Sequence, residues 1–178
     1  MKLLKLLALS LFLFSLASAA TLEIGFDTKS LLGNRLELKV PKGFDIMSEE
    51  LMKLKYPSER RPTLVYSNDS GAINVALNLT ENKASQAQMD AYKGMMVQTF
   101  TNMYPSAKWE SNGVKEINGR KVGYLELITP AADTKIYNLI FFTDLDGKLL
   151  LCTFNCTEKN ITKWQPAAKE IMASIKLK

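Results

Sequence analysis

Residues 109–154 read WESNGVKEINGRKVGYLELITPAADTKIYNLIFFTDLDGKLLLCTF. The stretch holds four β-prone runs, 109–117, 121–129, 135–143 and 148–154, and its turns decide how they pair. Asn118-Gly119 between the first two is the strongest short hairpin signal, because both residues tolerate the positive φ of a type I′ turn. Asp144-Leu145-Asp146-Gly147 joins the last two by the same logic. Within this pair, 139–142 and 149–151 are unbroken apolar runs, the mark of strands packed on both faces rather than one. The stretch therefore predicts two successive hairpins with the second at mid-sheet.

Upstream, 62–67 and 72–79 form a third hairpin around Asn68-Asp69-Ser70-Gly71. In its second strand Ile73, Val75, Leu77 and Leu79 share one face, while Asn74, Ala76, Asn78 and Thr80 share the other. One packed and one wetter face follow, and a helix is expected over the packed one. The helix that follows in the chain is the candidate. Ser85 and Gln88 have the spacing of a capping box, and Met89, Tyr92, Met96, Phe100 and Met103 recur at helical period before Pro105. This Met and aromatic stripe reads first as core; a ligand-binding surface is the alternative, since Met adapts to irregular partners.

Downstream, Trp164, Ala168, Ile171 and Ile175 recur at helical spacing, with Pro166 tolerable in the first turn, so a C-terminal helix closes the fold. Toward the N-terminus, Leu36, Leu38 and Val40 alternate as a half-buried strand broken by Pro41-Lys42-Gly43. Ser48 ahead of Glu49-Glu50 reads as the cap of a short helix ending before Pro57. Leu22, Ile24 and Phe26 alternate as an edge strand or a loose arm, ahead of a Gly33-Asn34 turn. Taken together, the class is α+β: a mainly antiparallel sheet of hairpins, with a long helix after the first hairpin and a helix at the C-terminus.

The first nineteen residues are of another kind. Lys2 and Lys5 form a positive start, an apolar run follows from Leu6 to Leu16, and Ala17-Ser18-Ala19 supplies a small-residue cleavage site. A membrane span needs about 20 apolar residues, and this run is roughly half that. The expectation is a secretory signal over 1–19, removed after Ala19 or Ala20, and a single domain over 20–178 without a stable membrane anchor, periplasmic or secreted. No cysteine near the junction offers a lipid attachment point. Two of the five excess positive charges of the 178-residue chain leave with Lys2 and Lys5, leaving +3. Lys and Arg alternate with Asp and Glu throughout, without the basic stripe of a nucleic-acid binder; the Glu59-Arg60-Arg61 patch reads as a solvated loop.

The order of elements, together with Val40-Pro41-Lys42-Gly43-Phe44, Glu116-Ile117-Asn118-Gly119-Arg120-Lys121 and the closing Ala173-Ser174-Ile175, resembles the PsbP/DcrB-like superfamily over most of residues 35–176. The resemblance implies an α/β/α sandwich and a non-catalytic binding role. Superfamily members include a photosystem accessory protein, a periplasmic lipoprotein, a Ran-binding protein and chaperones for secreted toxins. The missing lipid-acceptor cysteine departs from the periplasmic lipoprotein, and the export signal departs from the chaperones.

Chemistry is restricted by what the chain lacks. With no histidine, the commonest general base and metal ligand are gone, along with every His-dependent triad. Asp144 with Asp146 and Glu49 with Glu50 are the acid pairs to weigh, and both sit where turns and helix starts place acids. The 144–147 turn lacks the Glu that a calcium loop requires at its twelfth position, which is Asn155. No catalytic, cofactor-binding or metal-binding residue is nominated. Cys152 and Cys156 are the only cysteines. Four residues along an extended strand span about 13 Å, beyond the roughly 7 Å Cα limit of a disulfide, so a bridge needs a bend near Asn155. Two isolated thiols, a short-loop disulfide and a redox-active pair all stay open. The function expected is an exported, non-enzymatic domain that binds a protein partner. The alternative is a small-molecule or lipid carrier with an apolar pocket under the Met-rich helix.

Overall fold

A computed structural model describes residues 23–58 and 61–178. The signal segment 1–19, Leu22 and the Glu59-Arg60 part of the basic patch lie outside the described residues. In chain order the elements are β1 (Phe26–Leu31), β2 (Leu36–Pro41), β3 (Asp45–Ile46), α1 (Glu49–Lys55), β4 (Leu64–Ser67), β5 (Asn74–Lys83), α2 (Met89–Met103), β6 (Lys108–Ile117), β7 (Arg120–Pro130), β8 (Lys135–Leu145), β9 (Lys148–Thr157), α3 (Ile161–Ala173) and β10 (Lys176–Leu177).

The two hairpins of 109–154 form as their turns demand. Asn118 and Gly119 carry φ of 49° and 75°, Asp146 and Gly147 φ of 52° and 75°, so both connections are two-residue turns of the primed kind. Seven strands pair in the order β3-β4-β5-β9-β8-β7-β6, with the β8–β9 hairpin inside the sheet. A separate three-stranded sheet has the order β1-β2-β10. Of the stretch read as an edge strand or a loose arm around Leu22 to Phe26, residues 23–25 are not in a strand; β1 begins at Phe26 and pairs with β2 through a turn in which Leu32, Gly33 and Asn34 all have positive φ. Among the described residues the fold is α+β with three α-helices and mainly antiparallel sheets.

Cross-strand register sorts the large sheet into two faces. Val75 and Leu77 on β5, Leu150, Cys152 and Phe154 on β9, Leu139 and Phe141 on β8, and Tyr124 on β7 are aligned across the strands and point one way. They join Leu36, Leu38 and Val40 of β2 and Trp164, Ala168 and Ile171 of α3 in one cluster. Trp164 anchors it, with ring centroids 6.0 Å from Phe154 and 5.4 Å from Phe44. The layer on this face is thus α3 together with the small sheet. The Met-rich helix was expected over Val75 and Leu77, and α3 covers them instead. The reason lies in the next hairpins: the opposite face offers Leu125 and Leu127 on β7, Ile140 and Phe142 on β8 and Leu149 on β9, and α2 packs there through Met89, Tyr92, Met96, Val97 and Phe100.

The start of α2 also differs from its expected form. The Ser85 hydroxyl donates to Gln88 Oε1 at 3.0 Å and makes no bond to a backbone N–H, so the capping box is not assembled; a single 3-10 turn, Gln86–Gln88, leads into the helix. Ser48 behaves as read, its hydroxyl accepting from the Leu51 N–H. The short helix α1 closes over Val65 and Ala76 through Leu51, Met52 and Tyr56. Ala76, read as part of a wetter face, is therefore buried.

Candidate functional site

None of the residues weighed for chemistry assembles into a catalytic group. Glu49 and Glu50 occupy the exposed first turn of α1, where Glu49 pairs with Lys53 at 2.8 Å. Asp144 is held by Arg120 at 2.8 Å, and Asp146, in the turn, by Arg35 at 2.6 Å. Glu49, Asp144 and Asp146 thus each have a cation partner. Among the described residues no group of three or more His, Cys, Asp or Glu side chains could hold a metal ion.

Cys152 and Cys156 are both unbridged and buried. The bend near Asn155 that a disulfide needs is absent: β9 stays in register with β8 through Cys152, Asn155 and Cys156. Both thiols project into the α3 side, where burial raises the Cys152 pKa well above the ordinary thiol value and that of Cys156 to about 12. Neither is a thiolate near neutrality.

The carrier alternative required space beneath α2, and there the Met-rich stripe closes on the sheet. Met103 stays exposed beyond the contact, as does Met95. What the fold does leave open is a strip between α1 and α2. The register places Val65, Ala76, Thr153, Ile140 and Leu125 in one row across five strands. Its β4 end lies under α1 and its β7 end under α2, while Thr153 in the middle is only half-buried. Asn78 and Leu151 above it, and Asn155 and Asn138 below it, are half-buried as well. Asn155 donates to Asn138 at 3.1 Å, and Asn138 to Thr129 at 3.1 Å, forming a polar ladder across three strands. A shallow cavity of about 190 Å³ runs over Asn78, Leu151, Thr153 and Asn155, with Tyr56 and Pro62 at its border. The flanking helices carry large apolar side chains in solvent: Leu54 of α1 is 78% exposed and Met95 of α2 is 55% exposed.

The sheet also buries one carboxylate that the sequence reading passed over. Glu126 lies on β7 facing α3 and is 2% exposed. Ser111 donates to Oε2 at 2.6 Å, while Tyr137 at 2.9 Å, Gln165 at 2.7 Å and Lys169 at 3.2 Å reach Oε1. Burial pushes the Glu126 pKa up, and the four donors outweigh it, leaving the carboxyl below its ordinary value. Tyr137 moves the other way: burial and its bond to Glu126 hold the phenol protonated. A signal was present, since Glu126 is a lone acid in the apolar run 122–128.

No protein-family model and no curated protein sequence matches the chain. Solved structures do. Cyanobacterial PsbP (CyanoP) from Synechocystis sp. PCC 6803 superimposes with a TM-score of 0.61 at 14% identity, covering 92% of this chain and 99% of that one. LpqN, described as involved in cell envelope biogenesis of Mycobacterium tuberculosis, gives a TM-score of 0.52 at 12% identity over 80% of this chain and 82% of its own. A protein from Bacteroides thetaiotaomicron gives 0.55 at 11% identity over 85% of this chain, which spans 48% of that larger one. At these identities the likeness concerns the fold, which is PsbP-like.

Proposed function

We propose that this PsbP-like chain is exported through its 1–19 segment and works, after cleavage, as a non-enzymatic domain that binds a protein partner across the strip between α1 and α2. The single observation that carries the reading is the gap in the helical layer at Thr153. A sheet with polar rungs at Asn78, Asn138, Thr153 and Asn155 is left half-covered, between helices bearing solvent-exposed Leu54 and Met95. Mixed polar and apolar surface of this kind is what non-obligate interfaces use, and the shallow form suits a partner surface better than an engulfed small molecule. The absence of histidine and the pairing of Glu49, Asp144 and Asp146 to neighbouring cations support a role without catalysis.

The test is recovery of a partner after gentle purification of the exported protein from its own source. Thr153→Arg, placed mid-strip on a half-exposed side chain, is expected to reduce the co-purifying partner at least tenfold while melting temperature and circular dichroism stay unchanged. Lys163→Ala, on the exposed surface of α3, is expected to retain it. A partner that survives Thr153→Arg and is lost with Lys163→Ala sinks this assignment.

A further inference from the structure

Beneath α3 lies a cavity of about 240 Å³ against β6, β7 and β8, on the opposite side of the sheet from the strip. We infer that it binds a small amphipathic monocarboxylate, seating the acid's apolar body against Ile117, Tyr124, Leu139 and Met172 and its head on Lys115 and Lys169.

Three observations converge on that chemistry. The first is size. A protein cavity of about 150 Å³ admits benzene and drug-sized pockets begin near 300 Å³, so 240 Å³ suits a body of one ring or a chain of about eight carbons. The second is the lining, whose walls are the apolar Ile117, Leu139 and Met172 together with the Tyr124 ring. Gly113 makes room for that ring: a Cβ there would stand 3.2 Å from Tyr124.

The third is charge. Two ammonium groups line the cavity against one carboxylate, Glu126, whose charge is already met by Ser111, Tyr137, Gln165 and Lys169. Lys115 makes no ion pair among the described residues; its ammonium sits over the Tyr124 ring, 4.8 Å from the centroid. Lys169 is half in solvent and spends only one 3.2 Å contact on Glu126, so it can turn to share an incoming anion while the neutral donors keep Glu126 satisfied. The balance is one net positive charge, which selects a monoanion over a neutral ligand or a dianion.

The experiment is calorimetric titration of the exported protein with octanoate, benzoate and octanol. The inference predicts saturable one-to-one binding of at least one of the two acids, at least tenfold tighter than octanol; octanoate against benzoate distinguishes an aliphatic from an aromatic body. Lys115→Met should weaken the acid at least fivefold. Ala173→Phe, which fills the mouth from an exposed position at the end of α3, should abolish binding with the melting temperature preserved. Octanol binding as tightly as octanoate, no binding of either acid at millimolar concentration, or affinity untouched by both substitutions would overturn it.

Discussion

The two faces of the central sheet are made by the same strands, residue by residue in alternation, and they end in different states. On β9, Leu150, Cys152, Phe154 and Cys156 are buried, while Leu151, Thr153 and Asn155 between them are half-open. Along β9 the α3 face is closed because a helix and a second sheet cover it together; the other is shared between two helices that do not meet over β9. Strand alternation alone supplies two faces. Closure depends on how much surface the neighbouring elements bring, and here one layer is short.

The largest expected difference between the faces is in packing energy. Phe154→Ala, which removes a ring wedged between Trp164 and Tyr137, should cost about 3–5 kcal/mol in chemical denaturation. Thr153→Ala next to it should cost under about 1 kcal/mol. Equal costs would mean that both faces are core.

Gly123→Ala sharpens the comparison under α2, where the sheet is closed. An added Cβ would lie 2.2 Å from Phe142, and overpacking of this kind should cost about 1–3 kcal/mol. A neutral result would mean that Phe142 has room to move, and that the α2 side is loose along its whole length.

Much of this architecture is legible in the sequence, and what is not has a physical reason. Asn118-Gly119 and Asp146-Gly147 announce their hairpins because few residues accept positive φ. Trp164, Ala168 and Ile171 announce α3 because helical spacing is long enough to be unmistakable. The facing of α2 could not be read, since the runs 139–142 and 149–151 are apolar on both sides and give a helix no preferred face. The strip was hidden for the opposite reason: Asn78, Thr153 and Asn155 read as an ordinary wet strand face, and nothing in their identity tells that Ala76 beside them is covered by α1. Glu126 was visible as a lone acid among apolar neighbours, but its four donors come from β6, β8 and α3 and meet only in the fold.

Glu126→Gln tests the α3 side by pH. The folded pKa lies below the ordinary carboxyl value of 4.5, so the stability this group contributes is complete above that pH and drains away as pH falls through the folded pKa. The wild type should lose stability on acidification below about pH 4.5. The Gln variant should start about 1 kcal/mol lower near neutrality and show a flatter acid limb. Parallel limbs would show that Glu126 is not the group responsible.

Thiol labelling compares adjacent positions directly. Cys152 and Cys156 should remain unmodified by iodoacetamide at pH 8 until the protein is unfolded, as their raised pKa values and burial require, whereas Thr153→Cys should label in the native state. The smallest effect is expected on the exposed surfaces of the flanking helices: Leu54→Lys and Met95→Lys should leave stability within about 0.5 kcal/mol of wild type while weakening partner recovery.

That the strip left half-covered along β9 is where the partner protein binds is tested by photo-crosslinking in the exporting cell from a benzophenone side chain placed at position 153 or at position 163. A discrete adduct with another protein is expected from position 153 and none from position 163 on the outer surface of α3. An adduct from 163 alone, or silence from 153 with the protein folded and exported, would contradict it.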